Sequence, residues 1–216
     1  MALQCKKIDM ETYPRRDHFD YFRSLQNPHV GVTVDVDVTD LVRFCRDNGY
    51  SLYLSFMHAA ALAADGVEQF RQRIRDGGIV EYSECGTSHT ESTGDGRYCY
   101  CTLYHHMPFG EYIEYAENER KLCREQKSIE EDENVEAMYF ITSLPWLHYS
   151  DLSQPTGGRD DSNPRMSWGK YEEDFRGRLM LPVTVLCNHA VVDGINVAEF
   201  YQKLDEEIKI IVSNNC

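Results

Sequence analysis

No stretch of this chain approaches the roughly 20 apolar residues of a membrane-spanning helix, so no span is expected. Met1 to Pro14 lacks a continuous apolar core, and no secretory signal peptide is predicted. Positive charge is scarce. The 216 residues carry 22 Lys and Arg against 36 Asp and Glu, a net charge of -14. That balance argues against nucleic acid, whose binding rests on clustered cations, and against anionic membrane surfaces. It does not forbid an anionic ligand received by local cations or backbone amides.

The paired ligand spacings of structural zinc sites are also missing. Cys99-x-Cys101 followed by His105-His106 comes nearest. However, Tyr98 to Tyr104 reads as a strand, with both cysteines on one face as small core residues, so no metal is expected. Eight cysteines are present: Cys5, Cys45, Cys85, Cys99, Cys101, Cys123, Cys187 and Cys216. In a chain this long with no visible export signal they read as reduced thiols in a cytoplasmic protein. No internal repeat is visible. Residues 1–216 are expected to form one domain with a sizeable core.

The pattern along the chain mixes strands and helices. Phe19, Phe22 and Leu25 share one face of a short helix that follows Arg15 and Arg16. Arginines at a helix start are disfavoured by the dipole, which suggests that one has a specific partner. Val32 to Val38 alternates as a half-buried strand. Thr39 and Ser51 are expected to cap the next two helices, which end at Asn48-Gly49 and Asp65-Gly66. His58 lies beside the apolar stripe of the second and reads as a satisfied core histidine. Phe70 to Ile74 reads as a short helical piece, Asp76-Gly77-Gly78 as a turn into the strand Ile79 to Tyr82, and Cys85 to Gly96 as a loop.

Beyond the strand Arg97 to Tyr104, a charged helix is expected from Pro108 to about Lys127. An acidic loop with Glu130-Glu131-Asp132-Glu133 follows, to which no chemistry is assigned. Met138 to Thr142 and Met166 to Tyr171 read as strands separated by a long polar loop, Asp151 to Pro164. Leu179 to Cys187 is a buried strand. A final helix, Ile195 to Val212, carries Val197, Tyr201, Leu204, Ile208 and Ile211 as one stripe. The sum is an α/β or α+β fold with seven or eight strands and five helices.

Between the last strand and last helix stands Asn188-His189-Ala190-Val191-Val192-Asp193-Gly194. A histidine at a strand end, held by a tight turn, is well placed for a catalytic base. Free imidazole titrates at about 6.5, so a neutral ring can take a proton at pH 7. Asp193 can brace the loop or orient the ring. The same stretch also suits a packed histidine followed by a helix-capping aspartate. Ser143 ends the strand before Leu144-Pro145-Trp146 and could present its hydroxyl to a site.

Four ordered pieces resemble the chloramphenicol acetyltransferase family: Arg15-Arg16-Asp17-His18-Phe19, Ser143-Leu144-Pro145-Trp146, Ser167-Trp168-Gly169-Lys170-Tyr171 and the His189 stretch. The last is shared with a wider set of coenzyme A-dependent acyltransferases, including the cores of 2-oxo acid dehydrogenase complexes. The resemblance implies a two-layer α/β domain, a mixed sheet with helices on one face, in a homotrimer with active sites at subunit boundaries. It implies acetyl-coenzyme A as co-substrate, no permanently bound cofactor, and a small hydroxyl acceptor.

The resemblance makes His189 the general base, Ser143 the oxyanion donor, and Asp193 a structural aspartate paired with Arg15. Ser167 falls where the family usually has a threonine that acts through water. Lys170 and Tyr171 fall where it contacts coenzyme A. Two departures leave the catalytic atoms intact: Asn188 stands where a histidine is usual, and Val192 where a cysteine is usual. The polar stretch Ser150 to Arg165 replaces aromatic and apolar residues that shape the family's acceptor pocket. Acetyl transfer is therefore better supported than chloramphenicol as its acceptor. A non-catalytic coenzyme A-binding module and a lipoyl-thioester acyltransferase core remain the alternatives.

Overall fold

The computed structural model describes residues 3–125 and 131–214. Cys216 and the expected features at Lys127, Ser128 and Glu130 lie outside them. The chain opens with β1 (Cys5–Lys7), α1 (Arg16–Ser24) and β2 (His29–Asp37). Two helices follow, α2 (Thr39–Asn48) and α3 (Leu52–Asp65). Next come β3 (Gln72–Arg75), β4 (Gly78–Tyr82), β5 (Gly86–Ser92), β6 (Tyr98–Leu103) and α4 (Phe109–Glu125). The last part holds β7 (Met138–Ser143), β8 (Arg165–Trp168), β9 (Glu172–Glu173), β10 (Leu179–Asn188) and α5 (Gly194–Asn214).

The main sheet is mixed, in the order β2-β10-β8-β7-β5-β6, with β9 added on β10. A small sheet, β1-β4-β3, stands beside it. β10 is an interior strand, between β2 and β8, and its apolar residues can be buried on both faces; Leu181 to Val185 are all buried. Helix α3 lies on one face, where Phe56 meets Trp168 edge-on at 4.9 Å. Helix α5 joins that layer. Its Tyr201 hydroxyl donates to the Val183 carbonyl at 2.8 Å. The buried stripe of α5 is Val197, Phe200, Leu204, Ile208 and Ile211. Phe200 takes the innermost place expected for Tyr201.

Several local expectations are corrected. Residues 86–92 form β5 rather than a loop, because small and polar residues there pair with β6 and β7 in the sheet interior. Phe70 to Ile74 is only half helical. A 3-10 turn, Glu68–Arg71, gives way to β3, which pairs β4 across the Asp76-Gly77 turn. Those two residues have φ of 52° and 77°, the left-handed pair a two-residue hairpin needs. With these additions the described residues hold ten strands instead of seven or eight.

Thr39 does not cap α2; its hydroxyl donates to Asp37 at 2.6 Å and accepts from Leu179 N at 2.8 Å, stitching β2 to β10. Ser51 does cap α3, accepting from Leu54 N at 3.4 Å. His58 is a core residue, its Nε2 bonded to the His105 carbonyl at 3.1 Å.

The reduced-thiol expectation also fails at one pair. Cys99 and Cys123 form a disulfide, with Cα atoms 6.2 Å apart. Cys99 sits on the buried face of β6 and Cys123 on the buried face of α4, two elements packed against each other. Cys5, Cys45, Cys85, Cys101 and Cys187 are free. No described helix is long and apolar enough to cross a membrane.

Candidate active site

His189 follows the last residue of β10. Its backbone N–H donates to the Pro28 carbonyl at 2.8 Å, which ties it to the start of β2. The turn closes through Val191 and Val192, whose N–H groups donate to the Asn188 carbonyl at 3.1 and 3.0 Å. Asp193 then starts α5. Its carbonyl accepts from Val197 N, and its N–H is received by Asn196 Oδ1 at 2.9 Å. The Asn196 side chain thus supplies one half of a capping box, and the Asp193 carboxylate is left for other work.

The carboxylate turns toward two partners. Arg15 Nη2 donates to Asp193 Oδ1 at 2.6 Å, and Arg15 Nη1 donates to the Val191 carbonyl at 3.1 Å. The same Oδ1 lies 3.3 Å from His189 Nδ1. Nδ1 is buried and makes no hydrogen bond at that separation, whereas the side chain as a whole keeps 31% of its exposure. The ring stacks on Phe22 of α1, with centroids 3.9 Å apart and planes at 14°. Phe22 thus covers one face of the ring, and the Arg15–Asp193 pair stands at its Nδ1 edge.

Ser143 ends β7 and lines a cavity of about 520 Å³ between the sheet and the helices. Lys170 and Tyr171 line the same cavity, with Tyr53, Trp146 and Arg120. Lys170 has no ion-pair partner among the described residues. Arg120 and Arg124 hold Glu91, whose side chain is 7% exposed. Burial pushes the Glu91 carboxyl up, but hydrogen bonds from His89, Arg120 and Arg124 outweigh it and hold the pKa at about 2. The wall at Glu91 is thus a compensated ion cluster. Gly169 is fixed by crowding: a Cβ there would meet the Leu147 carbonyl oxygen at 2.4 Å.

Of the residues singled out from sequence, the structure gathers Arg15, Asp193 and His189 in one group, and Ser143, Lys170 and Tyr171 in another. It does not bring the two groups together within one chain. Ser143 is level with Trp168, and Trp168 with Val183. His189 lies six residues beyond Val183 along the strand, roughly 20 Å at ~3.3 Å per residue. Ser167 belongs to neither group. Its register one residue from Trp168 turns it to the opposite sheet face, where it is buried with its Oγ unbonded. Phe22, Tyr53, Arg120 and Glu91 were not read as site residues. Phe22 showed only as an apolar helix position, and Glu91 fell in a presumed loop.

The chloramphenicol acetyltransferase family model matches residues 3–205. The chain belongs to the chloramphenicol acetyltransferase family. It is accordingly an acyltransferase. The chloramphenicol acetyltransferase of Proteus mirabilis is 21% identical over 203 residues, 92% of each chain. Chloramphenicol acetyltransferase 3 of Escherichia coli is 24% identical over 209 residues, 93% of this chain and 95% of its own.

A solved chloramphenicol acetyltransferase matches with a TM-score of 0.82 at 22% identity, covering 95% of this chain and 100% of its own. A dihydrolipoamide acetyltransferase of Azotobacter vinelandii matches at 0.68 with 19% identity, over 90% and 86%. These likenesses agree with the mixed sheet and five helices described above.

Within the family frame, Asn188 has work of its own. Its Nδ2 donates to the Arg159 and Asp161 carbonyls at 2.8 and 3.0 Å, and its Oδ1 accepts from Ala190 N at 3.0 Å. It pins the polar loop, residues 151–164, to the His189 turn. Arg23 of α1 grips the same loop through Asp160 at 2.7 Å.

Proposed function

We propose that this protein moves an acetyl group from acetyl-coenzyme A to the hydroxyl of chloramphenicol or a similar small alcohol, with His189 as general base in a ternary complex. The observation that carries this reading is the Arg15–Asp193–His189 constellation. With a proton on Nδ1, 3.3 Å from Asp193 Oδ1, the ring would offer the Nε2 lone pair. Nε2 takes the acceptor's proton as the acceptor oxygen attacks the thioester carbonyl carbon. The carbonyl becomes an oxyanion, which Ser143 Oγ meets as a hydrogen-bond donor. Collapse of the intermediate expels the coenzyme A thiolate, which recovers the proton from the imidazolium. A positioned base supplies about 10²–10⁴ in rate and an oxyanion donor about 3–4 kcal/mol.

The Ser143 cavity suits the donor. Its aromatic walls can hold a pantetheine-like arm, and Lys170 supplies a positive charge for phosphate. Tyr171 extends the same wall. Buried Ser167, whose Oγ lies beside the Tyr149 hydroxyl, suits a bond to an ordered water. No permanently bound cofactor is needed, because the thioester carries the activated acetyl group.

The separation of His189 from Ser143 supports a homotrimer in which His189 of one copy meets Ser143 of the next. Exposed apolar residues flank both halves: Trp146 is 79% exposed beside Ser143, and Ile195 is 76% exposed beside the His189 turn. Burial of such residues between copies fits a subunit boundary. With five free thiols among its described cysteines, we place the reaction in the cytoplasm.

The test is thiol release from acetyl-coenzyme A by the purified protein, with chloramphenicol and with a panel of other small alcohols, beside His189→Ala. Acceptor-dependent release that the variant loses supports the reading, and the best acceptor names the substrate. Release that persists in His189→Ala overturns the base assignment. No release with any alcohol favours a binding module without turnover.

A further inference from the structure

A second cluster of reactive side chains lies away from the candidate active site. Asp65 ends α3 and is buried, at 9% exposure. Two imidazoles converge on one of its oxygens. His105 Nε2 lies 3.1 Å and His106 Nε2 2.5 Å from Asp65 Oδ2. The nearest ligand atoms of the three residues all lie within 4.8 Å of one another. The other oxygen, Oδ1, accepts from the Tyr139 hydroxyl at 2.6 Å and from Cys85 N at 3.2 Å. Glu84 stands at the rim, its Oε2 3.8 Å from His106 Nε2.

The arrangement is built rather than incidental. The His105 carbonyl is held by His58 Nε2, and the His105 ring is buried. The His106 side chain is 45% exposed, so one side of the cluster opens to solvent. Arg71 is a neighbouring cation. It is occupied by the Asp65 carbonyl and by Glu81, leaving the carboxylate to the two imidazoles.

We propose that Asp65, His105 and His106 form a binding site for a first-row divalent metal ion of the zinc class. Two imidazole nitrogens and one carboxylate oxygen are borderline ligands that such ions favour over Mg2+ or Ca2+. Zinc binds imidazole at about 2.0–2.1 Å and carboxylate at about 2.0–2.2 Å, so tetrahedral ligand atoms stand roughly 3.3 Å apart. His105 is already near that spacing from Asp65; the exposed His106 has to swing out from Asp65 by less than about 1 Å and in toward His105, from ligand atoms that now lie within 4.8 Å of one another. Glu84 or water completes the shell. Tyr139, bonded to the other carboxylate oxygen, orients Asp65 as an outer partner does in metal sites.

The ion's role is a clamp. It joins the end of α3, the β6–α4 connection and, through Glu84, the β4–β5 connection. Tyr139 precedes Ser143 by four strand residues, about 13 Å, so the ion takes no part in acyl transfer. The site stands independently of the proposed reaction.

The test uses the full chain, freed of metal by chelation, and Zn2+ alone as the probe. Competition with a chromogenic chelator is expected to show one Zn2+ per chain at micromolar affinity or tighter. His106→Ala, at a half-exposed position, is expected to weaken binding by at least about 10-fold with an unchanged circular dichroism spectrum. Zn2+ is expected to raise the Tm of the parent protein and not that of His106→Ala. His148→Ala, a histidine outside the cluster, is expected to bind as the parent does. The proposal is overturned by binding no tighter than about 100 μM, by affinity indifferent to His106→Ala, or by thiolate charge-transfer bands with Co2+, which would place the ion on cysteine.

Discussion

Arg15 and Asp193 stand 178 residues apart in the chain and 2.6 Å apart in the fold. The pair explains an arginine at a helix start, where the dipole disfavours it. It also connects the first helix to the turn that carries His189. Arg15→Ala and Asp193→Ala are each expected to lower kcat by about 10²-fold, because a base displaced by about 1 Å loses that much. Since both act through one ring position, the double variant is expected to lose no more than the worse single variant. Losses that multiply would show two independent roles.

Phe22 covers one face of the His189 ring at 3.9 Å between centroids. Phe22→Ala frees the ring to rotate without removing any reacting atom. The expected result is a fall in kcat of about 10-fold, with KM for acetyl-coenzyme A changed less than about 2-fold. A change confined to KM would place Phe22 in binding instead.

The Cys99–Cys123 disulfide closes a loop with a sequence separation of 24. Loop-closure entropy for that length gives roughly 3 kcal/mol of stabilisation in the chain-entropy account. Cys123→Ser, or treatment with a reductant, is expected to lower Tm by several degrees. Mass measurement with and without reduction and alkylation checks the bond itself. An unchanged Tm after verified reduction would show that the packing of β6 on α4 is sufficient alone.

His58 carries a pH-dependent share of the stability. Burial pushes its pKa down to about 4, although its bond to the His105 carbonyl acts the other way. In the unfolded chain it titrates at about 6.5. Between these values the unfolded state binds a proton and the folded state does not. Stability is therefore lost as pH falls from about 6.5 toward 4, by on the order of 3 kcal/mol for this group.

His106 works in the opposite direction. Its bond to Asp65 raises its pKa, so its contribution is present at low pH and is lost as pH rises through the raised value. The comparison that isolates His58 is the urea midpoint at pH 7 and pH 5 in the parent and in His58→Gln. A smaller fall on acidification is expected in the variant. Equal falls in both would contradict the assignment.

The long elements were legible because each depends on its own periodicity. The stripe of α5, the apolar run of β10 and the alternation of β2 all name their faces. The four motifs named the family and its fold together. β5 was not legible. Gly86-Thr87-Ser88-His89-Thr90 lacks branched apolar residues, and only its position between β6 and β7 makes it a strand. The Arg15–Asp193 pair was named through the family resemblance, whereas the partners of Glu91 depend on contacts across the fold, which no local pattern encodes. The disulfide was misread because a compartment argument stood in for geometry. The distance between His189 and Ser143 needed the register of three strands, β7, β8 and β10.

That distance also makes the site's division between copies directly measurable. His189→Ala and Ser143→Ala are each expected to be nearly inactive as pure proteins. Co-expressed in equal amounts, they form mixed trimers. If His189 of one copy serves Ser143 of the next, about a quarter of the sites combine an intact histidine with an intact serine. The mixture is then expected to recover about a quarter of the parent activity. A mixture no more active than the better variant alone would contradict a site shared between copies.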